Sequence, residues 1–293
     1  MQGRSFAPLL LAALCGLTVA PFSPAQTSAR CRFSSFSAPS GYYLAGISGI
    51  TSSGVIVGQL ESKSFKDVAF VRYPDGSFTI YKAPNSYSTW FSKRSDRDVN
   101  VGAYQDNGYD GHVHGFTLHG SRFEAMNYPR AAATWLSGIN KRGSIVGYYY
   151  LSDSTGRGFQ FDNGRFTTFQ YPGAVATTAN AISDNGVIVG AYASGDVFYG
   201  FILQNKTYRR VIHPQGVLGT TLTDVNSSGV VVGEYDDADD YLHGFVYKNG
   251  KFQNLIYPGS RNTFAGGIND YGVIAGQVFF EDGSSKGYTA HCK

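Results

Sequence analysis

The most constraining feature of this chain is a ten-residue segment that returns every 43 to 45 residues. Its clearest copy is Gly138-Ile139-Asn140-Lys141-Arg142-Gly143-Ser144-Ile145-Val146-Gly147. Other copies end at Gly58, Gly102, Gly190, Gly233 and Gly276. A second motif follows each one: Gly158-Phe159, a short alternating run, Asn163-Gly164, then Phe166 and Tyr171-Pro172. Its equivalents open at Ala69-Phe70, Gly115-Phe116, Gly200-Phe201, Gly244-Phe245 and Gly287-Tyr288. A single repeat of this size has too little apolar surface to stand alone, so neighbouring copies must stack.

Each repeat resolves into four strands, A to D, by alternation and turn residues. In the fourth copy the pattern predicts strands at 177–182, 187–192, 200–204 and 207–212. Ser183-Asp184-Asn185-Gly186 and Asn205-Lys206 form the turns, because Asn and Gly tolerate positive φ. Six such units predict a six-bladed β-propeller of four-stranded blades. A linear solenoid and a two-sheet sandwich are the alternatives. Against both stands the way the chain ends fit together. The sixth unit stops at Cys292 before its strand D, and Phe33 to Pro39 matches Phe166 to Pro172. If Cys292 is taken as the neighbour of Cys31, the interval from Gly287 to Pro39 equals that from Gly158 to Pro172. The N-terminal strand is therefore expected to complete the last blade. A disulfide between Cys31 and Cys292 is expected to staple it.

Residues 1–29 read as a secretory signal peptide, with Arg4 before an apolar run and small residues near Ala25 and Ala29. Residues 30–293 are then a single propeller domain, secreted to the periplasm or the extracellular space. No later apolar run reaches the length of a membrane-spanning helix, so no membrane insertion of the mature chain is expected. The 24 Lys and Arg against 21 Asp and Glu give a net charge of +3, without the dense basic stripe a nucleic-acid partner requires. A monomer is expected.

The unit G-I-N-x-x-G-x-I-V-G, a loop, then H-G-F with a following N-G, resembles the extracellular HAF-repeat family. The clearest instance is His243-Gly244-Phe245 with Asn249-Gly250, where Gly stands for the family's Ala. The resemblance covers nearly the whole mature chain and implies bacterial export and a repeat fold. It carries no catalytic residues. Unit two departs most, with Lys93-Arg94-Ser95-Asp96-Arg97-Asp98 where the family has Gly-Ile-Asn-x-x-Gly, and its A–B turn is expected to be weakened.

Zincin, nucleophile-elbow and phosphate-loop motifs are absent from the sequence. No catalytic residue is assigned and no cofactor is expected. Two weak metal readings exist. Asp110, His112 and His114 share one loop, and Asp236, Asp237, Asp239 and Asp240 crowd another, where carboxylates could hold calcium. The acidic loop lacks EF-hand order, and solvated loops are the plainer reading of both.

The A–B and C–D turns are short and uniform. The interval from the strand-B glycine to the strand-C glycine varies between ten and thirteen residues. The face built by B–C and D–A loops is therefore the functional candidate. Trp90 and Trp135 occupy one register in units two and three, where the others carry Gly46, Thr178, Thr221 and Phe264. They offer flat apolar faces to sugar rings, although packing between blades is the competing reading. Lys93, Arg94, Asp110, His112 and His114 complete the candidate patch in unit two. The expected function is non-enzymatic binding of an extracellular ligand such as a glycan. A hydrolase or lyase at the propeller centre and an adhesive surface protein are the alternatives.

Overall fold

Alternating apolar residues and positive-φ turns produce a chain made of hairpins. The computed structural model describes residues 31–292 apart from Phe65, Asn107, Tyr109 and Asp110, so the expected leader lies outside the described residues. Among the described residues there are 24 strands and no helix. Unit one runs Tyr42–Ile50, Ile56–Ser62, Asp67–Arg72 and Phe78–Tyr81, each strand antiparallel to the one before. Unit four runs Ala176–Ile182, Ile188–Ser194, Val197–Gln204 and Thr207–Val211. Its B–C connection is a tight hairpin through Gly195, because pairing continues out to Ser194 and Val197. Units three to five join into one twelve-stranded sheet through single parallel contacts at Gly156–Ala176 and Phe198–Gly219.

The two motifs have separate physical causes. Strand A of every unit carries a bulge, at Ser48, Ser92, Ser137, Asn180, Thr223 and Gly266. A bulge re-aims one side chain and bends its strand onto the partner. A Cβ on Gly147 would collide with the Trp135 carbonyl, and the equivalent collision occurs at the other five strand-B glycines. That close approach explains the glycine closing each ten-residue segment. The aromatic of the second motif is core. Phe70, Phe116, Phe159, Phe201, Phe245 and Tyr288 are all among the most deeply buried side chains.

Hydrophobic clusters lie between successive units. Val189, Ile202 and Val211 of unit four pack with Leu222, Tyr235 and Phe245 of unit five. Ala275 and Val273 of unit six and Phe36 pack with Leu44, Ile47 and Phe70 of unit one. Strand A of each unit packs against that of the next, and Asn262–Ile268 of unit six packs against Tyr42–Ile50.

The chain ends meet as expected. Cys31–Phe36 pairs antiparallel with Ser285–Cys292, with Phe33 opposite Ala290 and Cys31 opposite Cys292. The resulting sheet is ordered Cys31–Phe36, Ser285–Cys292, Val273–Phe279, Asn262–Ile268. Cys31 and Cys292 form the disulfide.

The turn of unit two is not weakened. Asp98 takes the place of the turn glycine at φ 63°, a region that costs a residue with a Cβ some strain. The Arg94 guanidinium donates to the Asp98 carboxylate at 2.9 Å, and the Asp98 N–H still reaches the Ser95 carbonyl.

Candidate functional site

The bulge residues lead to the site. Ser48, Ser92, Ser137, Asn180, Thr223 and Gly266, one from each unit, line a cavity of ≈ 420 Å³. Trp90, Trp135, Gln59 and Glu234 complete its wall. Small-ligand sites commonly measure about 300–1,000 Å³. All of these residues stand on the first and second strands of their units, and none comes from a B–C or D–A loop.

The two tryptophans are partly exposed, and each is fixed by a neighbour. The Trp90 indole N–H donates to Asp67 of unit one at 2.7 Å. Trp135 stacks on Tyr148, its cross-strand partner, with centroids 5.1 Å apart and planes 14° from parallel. Burial, and then the nearby Tyr150, hold the Tyr148 hydroxyl well above the usual phenol range.

Glu234 is the residue that sequence reasoning missed. It follows the strand-B glycine, where the other units carry Gln59, Ala103, Tyr148, Ala191 and Gln277. Reading down that column would have exposed it as the one ionisable acid among those positions. Burial, with a lesser contribution from Asp236, pushes its carboxyl up to about 8, against the opposing pull of the Ala265 N–H. Among the described residues no Lys or Arg forms an ion pair with it.

Lys93 does not join the tryptophans. It stands one residue beyond the bulge and forms an ion pair with Asp224 of unit five. Asp224 also accepts the Ile268 and Val225 N–H groups and is almost fully buried. The other units place Gly49, Gly138, Ala181 and Gly267 at this level, and a Cβ on Gly267 would meet Gly49. The pair thus lies between the cavity and the A–B turns.

Beyond it, Ser52, Asp96, Lys141, Asp184, Ser227 and Asp270 line a hollow of only ≈ 60 Å³. The Lys141 ammonium lies 2.8 Å from Asp270, 3.1 Å from Asp184 and 3.3 Å from Asp96. The hydrogen bonds it donates to Asp270 and Asp184 raise its pKa. Burial alone would raise the Asp96 and Asp270 carboxyls, but hydrogen bonds from Ser52, Ser227 and Lys141 bring both below the usual range. Arg94 belongs to this end, bonded to Asp98 and Asn100.

His112 and His114 line a separate pocket beside Asn127, Tyr128 and Arg130. The Nε2 of His114 faces Asp106 at 3.2 Å, and its Nδ1 lies 3.1 Å from the Asn127 amide. Asp110 lies outside the described residues. In the acidic loop, Asp237 accepts the Asp239 and Tyr241 N–H groups and bonds His243, which hold its carboxyl below the usual range. Asp236 is raised, first by burial and then by Asp240 and Asp237. Among the described residues no group of three or more His, Cys, Asp or Glu is placed to hold a metal ion.

Solved structures share this architecture. A protein described as TolB from Agrobacterium tumefaciens aligns with a TM-score of 0.59 at 14% identity, over 91% of this chain and 99% of that one. A gluconolactonase from Xanthomonas campestris gives 0.54 at 10% identity, over 92% and 91%. The β-propeller domain of the Trilobed protease from Pyrococcus furiosus gives 0.51 at 9% identity, over 84% and 82%. At such identities the likeness is one of fold: this chain has an all-β, propeller-like architecture. No protein-family model matches the chain, and no curated protein matches it by sequence.

Proposed function

We propose that the six units close into a six-bladed β-propeller, with Cys31–Phe36 as the outer strand of the last blade. We further propose that it is a non-enzymatic protein of the periplasm or extracellular space that binds carbohydrate in the axial cavity. The disulfide suits an oxidising compartment. Among the described residues no helix is long and apolar enough to cross a membrane. The resemblance to HAF repeats agrees with export.

The observation that carries the binding reading is the make-up of the cavity wall. Two indoles stand among Ser48, Ser92, Ser137, Asn180, Thr223 and Gln59. Aromatic faces take the apolar C–H surface of a sugar ring, while hydroxyl and amide groups take its hydroxyls.

The test is a thermal-shift screen of mono- and oligosaccharides, since ligand binding to the folded state raises its apparent stability. Trp90→Ala and Trp135→Ala should each remove the sugar-induced shift. Each should cost less than the roughly 3–5 kcal/mol of a fully buried aromatic, because both rings are partly exposed. Absence of any sugar-induced shift in the wild-type protein sinks the reading.

One observation favours the adhesive alternative. Val175, Phe198, Val217 and Leu218 are exposed at the loop end of units four and five. They are linked through the Val175 N–H to Ala193 bond and the Phe198–Gly219 contact. Replacing Val175 and Val217 with Ser should leave sugar binding unchanged if the cavity is the site.

A further inference from the structure

We propose that the axial cavity selects a sugar bearing a free, protonated amine, with Glu234 as the group that holds the ammonium. This rests on the carbohydrate reading and specifies its ligand. The argument starts from the charges a ligand would meet. Glu234 is the only ionisable acid or base in the cavity wall; Gln59, Asn180, Thr223 and the three serines are neutral. Asp236, the charged neighbour that acts on Glu234, is a like carboxyl, and the other charged groups beside the cavity are committed. Lys93 and Asp224 neutralise each other just past the bulges. Asp67 accepts the Trp90 indole N–H.

Glu234 therefore faces the cavity with one backbone N–H, from Ala265, and no cation. A carboxylate in that position is costly, because burial removes water without supplying a counter-charge. The three kinds of sugar meet it differently. An acidic sugar brings a like charge into the same confined space. A neutral sugar offers only neutral hydrogen bonds. An amino sugar supplies the missing cation, forming a charge-assisted hydrogen bond of the stronger class. Trp90 and Trp135 line the same cavity, and indole faces attract a desolvated ammonium. Glu234 is thus a ligand-contacting, specificity-determining residue.

The experiment is isothermal titration calorimetry on the disulfide-intact protein at pH 6.5. Glucose, glucosamine, N-acetylglucosamine and glucuronate are compared, with the galacto-configured series alongside. The free-amine sugar should bind at least roughly tenfold more tightly than its neutral counterparts, and the uronate most weakly. Glu234→Gln keeps the shape and removes the carboxyl, which holds its proton in the empty cavity at this pH and gives it up against the ammonium, so the preference should shrink to within about twofold. Melting of that variant, read in the same buffer, reports that it is folded. If amine and neutral sugars bind equally to the wild-type protein, or if the preference survives Glu234→Gln, the amine assignment is overturned and the carbohydrate reading stands. If no sugar of either series binds, both fall.

Discussion

The hollow at the A–B turns and the cavity at the bulges are both lined by residues of all six units and differ in how their charges are treated. At the A–B turns, Lys141 from unit three gathers Asp96, Asp184 and Asp270 from alternate units. Beside them Lys93 and Asp224 pair across units two and five. At the other end a single acid, Glu234, stands among indoles and neutral polar groups without a cation. Charges that meet partners inside the protein tie units together. An acid left without one keeps its proton until a ligand brings the cation.

The largest effect that tests this contrast is expected at the axial ion pair. Asp224→Ala strands the Lys93 ammonium and removes the acceptor for the Ile268 N–H. The loss should be roughly 3–5 kcal/mol in urea unfolding, as for one partner deleted from a buried pair. Replacing both residues together, as Lys93→Met with Asp224→Leu, should recover most of it. A double variant as unstable as the single one would show that the pair is not what holds this level of the axis.

Glu234 should act in the opposite sense. Its carboxyl stays protonated to about 8 in the folded protein. The unfolded chain ionises near 4.3 and so holds fewer protons across the interval. Stability should therefore fall as pH rises from about 4.3 to 8, by on the order of 5 kcal/mol, and level off above. In Glu234→Gln, melting temperature plotted against pH should lose that slope. An unchanged slope would place the titration elsewhere.

A smaller effect is expected at His213, which stands where other units carry Tyr128, Tyr171 and Tyr257 before proline. It stacks on Tyr235 with centroids 3.7 Å apart, as Tyr128 does on Tyr149 and Tyr171 on Tyr192. Burial pulls its pKa down to about 4, against the bond to Asn254. The unfolded imidazole takes a proton near 6.5, so stability should fall as pH drops from about 6.5 to 4, by on the order of 2 kcal/mol. His213→Tyr should keep the stack and flatten this acid limb. If acid sensitivity persists there, another group causes it.

Much of the fold is legible in the chain because the repeat writes it six times. The pairing of Phe33 with the last strand follows from matching it to Phe166 and counting. The bulges are not legible, since Ser, Asn, Thr and Gly at those positions look like ordinary strand residues until the ladder shows one residue skipped. Trp90 and Trp135 could be placed in one register, and they line one cavity. Lys93 could not be placed, because its partner Asp224 lies 131 residues away and nothing local points to it. The repeated asparagines Asn140, Asn226 and Asn269 make one local bond set and one bond between units. Asn140 closes its own turn through the Arg142 and Ser144 N–H groups. It also donates across to Ser183, as Asn226 does to Asn269 and Asn269 to Thr51. The paired histidines share a pocket as alternate strand residues should, yet the carboxylate at His114 is Asp106.

The strand Cys31–Phe36 has a consequence for the order in which the protein is made. It leaves the ribosome well before its hydrogen-bonding partner Ser285–Cys292. The two cysteines are 261 residues apart. At roughly 5–20 residues per second, that interval occupies on the order of tens of seconds. Through all of it Ser34, Ser35 and Phe36 are a strand without a sheet, and the apolar flank of unit one that receives Phe36 stays open. Hairpins within each unit can form as they emerge, because their contacts are local. Completing this sheet must then wait for the later segment to capture the earlier one.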